Sequence, residues 1–288
     1  MYTQLRAFHA VAKHNGFTAA ATALRVGQPT ITTQVRALED YYGVELFHRR
    51  GRSVSLTDAG RGLYAITQRL LSQETEARDY LNAVSGFHTG HLNLGAVGPY
   101  HVTEMISLFH ERFPKLKISL SLGNSQDMLE RLADFQVDVA VLAYTGDDPR
   151  FLVLPYRQNE LVIFLRRDHP LAKKGKVYMA DLADQSLVLR EQGSTTRRAF
   201  DAAAEAAGVQ LEPTIEMGSR EAIWFAVQKG LGLGVVSQAE FVAHEDLTTL
   251  HLVDAKITTG DDVVCLKERQ ENPMVQAFLK VARDLIGR

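Results

Sequence analysis

In the opening third of the chain the apolar positions recur at helical spacing. Leu5, Phe8 and Val11 make one stripe that stops at Asn15-Gly16, which predicts a first short helix. Thr18 is placed to cap a second, AAATAL, through its hydroxyl, and the run of alanines gives a slim face for close packing. After Arg25-Val26-Gly27 a third helix opens at Gln28, with Pro29 tolerated in its first turn. Ile31, Val35 and Leu38 form its apolar stripe. At ~100° per residue Pro29, Thr33 and Arg36 fall on the opposite face, flanked by Thr30 and Thr32. That outward face is short, polar and singly basic, and it suits a DNA major groove. Next, Arg49, Arg50 and Arg52 surround Gly51, whose turn lets them project along a phosphate backbone. Taken alone such a cluster is a solvated hairpin; joined to this helix spacing it reads as a wing.

The pattern then lengthens. Leu63, Ile66, Leu70, Gln73, Ala77, Tyr80 and Val84 alternate spacings of three and four, an a/d seam over roughly three heptads. From His91 onward it changes again. Short apolar runs (HLNLGAV, LKISLSL, VDVAVLA, LVIFLR, SLVLR, LGLGVVS) alternate with helical stretches, which predicts open, mostly parallel α/β sheets. The expected fold class is a multidomain α+β chain. Residues 1–58 form a winged helix-turn-helix, 59–89 a linker and dimerisation helix, and 90–288 two α/β subdomains. Subdomain I takes about 90–160 and 264–288; subdomain II takes about 161–263.

Composition narrows the class. The chain has 288 residues, 45% of them hydrophobic, which fits a folded globular protein. One cysteine, Cys265, excludes an internal disulfide and any multi-thiolate metal site within one chain. No stretch approaches the ~18 apolar residues of a membrane span, and the N-terminus lacks a secretory layout, so a cytoplasmic protein is expected. Charge is uneven. Among residues 1–60 seven basic groups (Arg6, Lys13, Arg25, Arg36, Arg49, Arg50, Arg52) face four acids (Glu39, Asp40, Glu45, Asp58), leaving +3; the other 25 basic and 30 acidic groups leave −5. A basic head on an acidic body points weakly to a polyanionic partner.

The run from Ala20 to Gly60 carries a more specific signature: AAATAL, Gln28-Pro29-Thr30, Thr32-x-Gln34-Val35-Arg36-x-Leu38-Glu39, Tyr42-Gly43-Val44-x-Leu46-Phe47-x-Arg49 and Leu56-Thr57-x-Ala59-Gly60. In order and spacing it resembles the N-terminal domain of LysR-type transcriptional regulators. Where that family usually has Ser, this chain has Gly27 and Thr32. The resemblance implies a winged head pairing through the following helix. It also implies a periplasmic-binding-protein-like effector domain, and a homodimer or homotetramer acting on a promoter inverted repeat, with RNA polymerase as a further partner. The candidate contacts to double-stranded DNA are Thr18, Gln28, Pro29, Thr30, Thr32, Thr33, Gln34, Arg36, Arg49, Arg50 and Arg52.

In open α/β sheets ligands sit beyond the carboxyl ends of strands, where helix N-termini aim amides inward. Four junctions combine glycine with hydroxyl, amide or cationic side chains: Gly98-Pro99-Tyr100-His101, Gly123-Asn124-Ser125-Gln126, Gln192-Gly193-Ser194-Thr195-Thr196-Arg197 and Gly218-Ser219-Arg220. Any one of them is more simply a helix cap. Four in the same topological position make a cleft. Its expected lining is Pro99, Tyr100, His101, Ser125, Gln126, Ser194, Thr195, Thr196, Arg197 and Ser219, with Arg197 and the three hydroxyls before it holding a small carboxylate, phosphonate, phosphate or sulfonate. Gly230-Leu231-Gly232-Leu233-Gly234 has the wrong spacing for a dinucleotide loop. No metal-binding motif or nucleophile signature stands out, so neither catalysis nor a cofactor or metal is expected. A cytoplasmic solute-binding sensor, or an enzyme using the cleft, is the alternative function.

Overall fold

The computed structural model describes residues 1–50, 53–86 and 89–287, and for Arg49, Arg50 and Ser53 it describes the backbone only. Backbone contacts divide the chain into two compact units, Met1–Ser85 and Gly86–Arg288.

In the first unit α1 (Tyr2–Lys13), α2 (Phe17–Leu24) and α3 (Gln28–Tyr42) pack around Phe8, Val11, Ala20, Ile31, Val35 and Leu38. Buried Ala20 and Ala21 supply the slim face that lets α2 approach its neighbours. Asn15 and Arg25 close the first two helices with φ of 52° and 54°, and Gly43 ends α3 at 64°. A hairpin follows, β1 (Phe47–Arg50) antiparallel to β2 (Ser53–Leu56). Gly51 and Arg52, the predicted wing tip, lie outside the described residues. Helix α4 (Asp58–Val84) starts at Thr57, whose hydroxyl accepts from the Gly60 amide (3.0 Å) and donates to the Glu45 carbonyl (2.7 Å). A Cβ at Gly60 would collide with the Leu46 carbonyl, which explains the glycine of the Leu56-Thr57-x-Ala59-Gly60 signature.

The second unit is two lobes sharing two long strands. In the first lobe, β3 (His91–Ala96), α5 (Pro99–Arg112), β4 (Lys117–Leu122), α6 (Ser125–Ala133) and β5 (Val139–Leu142) build a parallel β4-β3-β5 edge. Strand β6 (Phe151–Arg166) then crosses into the second lobe. There β7 (Leu187–Arg190), α7 (Thr195–Ala206), β8 (Ile215–Met217), α8 (Arg220–Gln228) and β9 (Leu233–Ser237) build a parallel β8-β7-β9 set, and β10 (Leu247–Leu250) pairs with β6. Strand β11 (Thr258–Leu266) returns antiparallel to β6, and α9 (Pro273–Ile286) closes the first lobe. Apolar clusters cover both faces of each sheet, around Phe109, Val263 and Phe278 and around Met128 and Leu142 in the first lobe. The second lobe has its own pair, around Leu187 and Phe200 and around Phe164 and Ile223.

The sequence pattern predicts β6 from residue 161, whereas the strand begins at Phe151. Its first half joins the lobes and is only partly buried, so it lacks the apolar run of a core strand. The set-aside glycine run is a helix end entering a strand: Gly230 has φ 78°, and a Cβ at Gly232 would strike the Ser186 carbonyl.

Candidate functional site

On the head, α3 presents Gln28, Pro29, Thr30, Thr33 and Arg36 to solvent; Thr32 and Gln34 are half-buried at its flanks. Gly27 caps the helix without a side chain, and Gln28 Nε2 donates to Thr32 Oγ1 (3.0 Å) across the first turn instead. Thr18 does not cap α2. The cap is Gly16, one helical residue precedes Thr18, and its carbonyl accepts from Thr22 Oγ1 at 3.1 Å. Thr18 remains at the start of the helix preceding α3, with its side chain open to solvent. The Arg49 and Arg50 side chains, and Arg52 entirely, lie outside the described residues.

The seam on α4 has an unusual character. Leu63 packs against the head core, whereas Ile66, Leu70, Tyr80 and Val84 are exposed, Ile66 by 55% and Val84 by 72%. Leu81, absent from the predicted seam, is also exposed. The buried positions of the helix are Gly60, Thr67, Gln68, Ser72 and Asp79. An amphipathic helix lying on its own domain would show the reverse.

In the second unit all four predicted junctions are strand-to-helix turns, β3 to α5, β4 to α6, β7 to α7 and β8 to α8. They do not contribute equally. A cleft between the lobes is lined by Ser125 from the first lobe and by Ser194, Thr195 and Thr196 from the second. Thr195 Oγ1 donates to Ser125 Oγ at 2.9 Å, so two helix N-termini meet there. Asn124 caps α6 in a reciprocal box with Asp127, and a Cβ at Gly193 would press on the Asn124 amide, so the glycine permits the lobes to touch.

Arg197 is not on this wall. Its guanidinium is buried on the far side of α7, ion-paired with Asp201 (2.8 Å) and Glu216 (3.2 Å) and donating to the Arg190 carbonyl (3.0 Å). The cations of the cleft are Arg190, outside the predicted junctions, and Arg220, which closes the Gly218-Ser219-Arg220 junction but is absent from the expected lining. Arg190, at the end of β7, spends Nε and Nη2 on Glu191. Arg220 bridges the lobes, donating to the Val97 carbonyl (2.9 Å) and pairing with Glu240 (2.8 Å). A Cβ at Gly98 would strike both side chains of that pair.

The remaining expected residues are placed elsewhere. Ser219 caps α8, accepting from Ala222 N at 3.1 Å. Gln126 is exposed and donates to Glu130. Tyr100 borders a neighbouring apolar hollow with Trp224, Phe225 and Val242, and Pro99 occupies the first turn of α5. His101 stands 3.2 Å from Asp261, which does line the cleft. Glu240, Asp261 and the Ser237 hydroxyl complete the wall, and no local motif announces any of them. Burial pushes the Glu240 carboxyl up, Arg220 opposes this, and the neighbouring Asp261 charge adds to it. Among the described residues no group of His, Cys, Asp and Glu is arranged to hold a metal ion, and no helix is long and apolar enough to cross a membrane. Cys265 is buried in β11 with its thiol pushed up to about 11 by desolvation.

A winged helix-turn-helix head, a long connecting helix and a two-lobed α/β unit with a polar cleft define a ligand-responsive DNA-binding regulator. Comparison with known proteins agrees with that architecture. The family model "Bacterial regulatory helix-turn-helix protein, lysR family" matches residues 2–61, and "LysR substrate binding domain" matches 85–286. The chain therefore belongs to the LysR family of transcriptional regulators. It is 33% identical over 236 residues to the RuBisCO operon transcriptional regulator of Allochromatium vinosum, covering 81% of this chain and 78% of the relative. To the transcriptional activator CmpR of Synechocystis it is 32% identical, with the same coverage. A full-length OxyR variant from Pseudomonas aeruginosa shares the fold (TM-score 0.77, 23% identity, 98% of this chain and 94% of that one). The Synechocystis CcmR regulatory domain, solved in complex with 2-PG, matches 68% of this chain and 97% of its own at 28% identity and a TM-score of 0.63.

Proposed function

We propose that this LysR-type regulator pairs through α4, sets two α3 helices on a promoter inverted repeat in the cytoplasm, and responds to a small anion bound between the lobes of its second unit. The observation that carries the effector part is the meeting of the α6 and α7 N-termini at Ser125 and Thr195, with the hydroxyls of Ser194 and Thr196 on the same wall. Helix N-terminal amides and small hydroxyls are the donors a compact anion needs. That the related CcmR regulatory domain holds a small ligand, 2-PG, supports the same use of this unit. The bonds that now join the lobes directly, Thr195 to Ser125 and Arg220 to Val97, are those an occupant would exchange for its own. A ligand preferring one lobe arrangement would bias the spacing of the DNA heads by that differential affinity alone. Nothing in this cycle calls for bond-making chemistry, and we read the cleft as a sensor, not an active site.

Thr195→Val tests the assignment. It keeps the shape of the side chain and removes the hydroxyl. The expected outcome is a loss of about tenfold or more in anion affinity by calorimetry, with operator affinity unchanged in the absence of anion. Unchanged anion affinity would move the site away from the α6–α7 junction.

A further inference from the structure

The two walls of the cleft differ in sign. The α6–α7 wall is rich in donors. The rest of the lining, from the end of β9, the short turn that follows it and the crossover strand β11, carries Ser237, Glu240 and Asp261. Arg220 is paired to Glu240, while Arg190, whose charge also reaches Glu240, has its Nε and Nη2 on Glu191. Asp261 has the Asn159 amide and the His101 ring, 3.2 Å away, as its side-chain neighbours among the described residues. With Arg190 committed to Glu191, Arg220 is, among the described residues, the one guanidinium of the cleft paired to either of these two carboxylates. Asp262, next to Asp261 in sequence, is committed elsewhere, accepting from the Tyr144 amide at 3.0 Å. The pairing of β11 with β6 slips a register between Asp261 and Asp262, passing over Tyr156, and that irregularity separates the tasks of the two consecutive acids.

A second observation points to an absent occupant. Ser237, at the end of β9 and three residues before Glu240, is only 4% exposed, lines the cleft, and its hydroxyl has no hydrogen-bond partner among the described residues. His101 Nε2 is likewise buried without a hydrogen bond of proper geometry, despite its proximity to Asp261. Buried polar groups are ordinarily satisfied, so an orphan hydroxyl beside two acids marks the place of a ligand group.

Building on the anionic reading above, we infer that the effector is a small zwitterion, with its acid group at Ser125, Ser194, Thr195 and Thr196 and a primary ammonium between Glu240, Asp261 and Ser237. An ammonium has three donors, one for each of Glu240, Asp261 and Ser237, and its charge supplies what Arg220 alone does not. A des-amino acid of the same length would leave Asp261 undercompensated and Ser237 unpaired, a loss out of proportion to the few atoms removed. An ammonium bound there also favours the ionised form of Glu240, which burial and the Asp261 charge disfavour.

The test uses the full-length protein and three matched pairs in titration calorimetry: 2-aminoethylphosphonate against ethylphosphonate, taurine against ethanesulfonate, and β-alanine against propionate. The expected result is that at least one amine-bearing acid binds about tenfold or more tighter than its des-amino partner. Glu240→Gln and Asp261→Asn, on different elements and both near-isosteric, should each erase that difference while leaving the weaker partner's affinity within about twofold. Unaltered thermal transitions in at least one of the two variants separate this from misfolding. Equal binding within every pair would overturn the zwitterion and leave the anion site standing. A des-amino acid binding more tightly would do the same. Binding of none of the six at millimolar concentration would overturn both, whereas operator binding would be unaffected.

Discussion

At the residue scale, Arg197 shows how a side chain's direction outweighs its chemistry. Thr195 faces Ser125 across the cleft. Two residues further along a helix is ~200° of rotation, so Arg197 must face away. It lands four residues before Asp201, an ordinary helical ion-pair spacing, and adds Glu216 from β8. Arg197→Ala is expected to leave anion affinity unchanged and to lower unfolding stability by about 1–3 kcal/mol, measured by denaturant titration. A fall in affinity without a fall in stability would return it to the binding site. His9 is a second residue with a measurable consequence. Packed against Tyr64 and 3.2 Å from Thr67 Oγ1, it has its pKa pushed down to about 4 by burial and by the Lys13 and His14 charges. An unfolded histidine binds a proton near pH 6.5, so the unfolded chain takes up more protons between about pH 6.5 and 4. Stability held above that window is therefore lost as pH falls through it. His9→Asn should lose less stability than the wild type between about pH 7.5 and 5; equal losses would show that His9 is not the titrating group.

At the element scale, what was legible in the sequence depended on how local the cause is. The stripe Ile31-Val35-Leu38 and the Gln28 start with Pro29 follow from short-range spacing and turn chemistry, and the structure has them in those places, whereas Gly60, which enters through the family signature, answers to the Leu46 carbonyl fourteen residues away. Thr18 misled because a hydroxyl beside a helix start looks like a cap, yet the chain already turns at Gly16. The acids of the cleft, and the part Arg220 plays in joining the lobes, were invisible for a different reason. Arg220 meets Val97 across 123 positions, and Asp261 reaches the cleft only because β11 crosses back between the lobes. No local pattern encodes such a meeting. The seam on α4 lies between these cases. Its 3.5-residue period is readable, but only the exposure of Ile66, Leu70, Tyr80 and Val84 shows that the apolar face is turned to solvent in a single chain. Replacing Ile66 and Leu70 together by Asp should convert the sedimenting species to monomer and weaken operator binding strongly. An unchanged oligomer would place the pairing on another surface.

For the whole molecule, the proposed function joins a DNA-reading head to a cleft that senses a small anion. Both parts meet in one measurement: fluorescence anisotropy of the full-length protein on its own upstream intergenic DNA, at several salt concentrations, with and without small anions, against a scrambled duplex. Tight, sequence-selective binding is expected, its logarithm falling linearly with the logarithm of salt, together with a shift in affinity or in complex size with one class of anion. In the same titration Arg36→Ala, which removes the basic side chain on the exposed face of α3, should weaken binding and make the salt slope shallower by about 1 if it meets a phosphate. No preference for the native over the scrambled duplex at any salt, with Arg36→Ala indistinguishable from wild type, would contradict the account at its root.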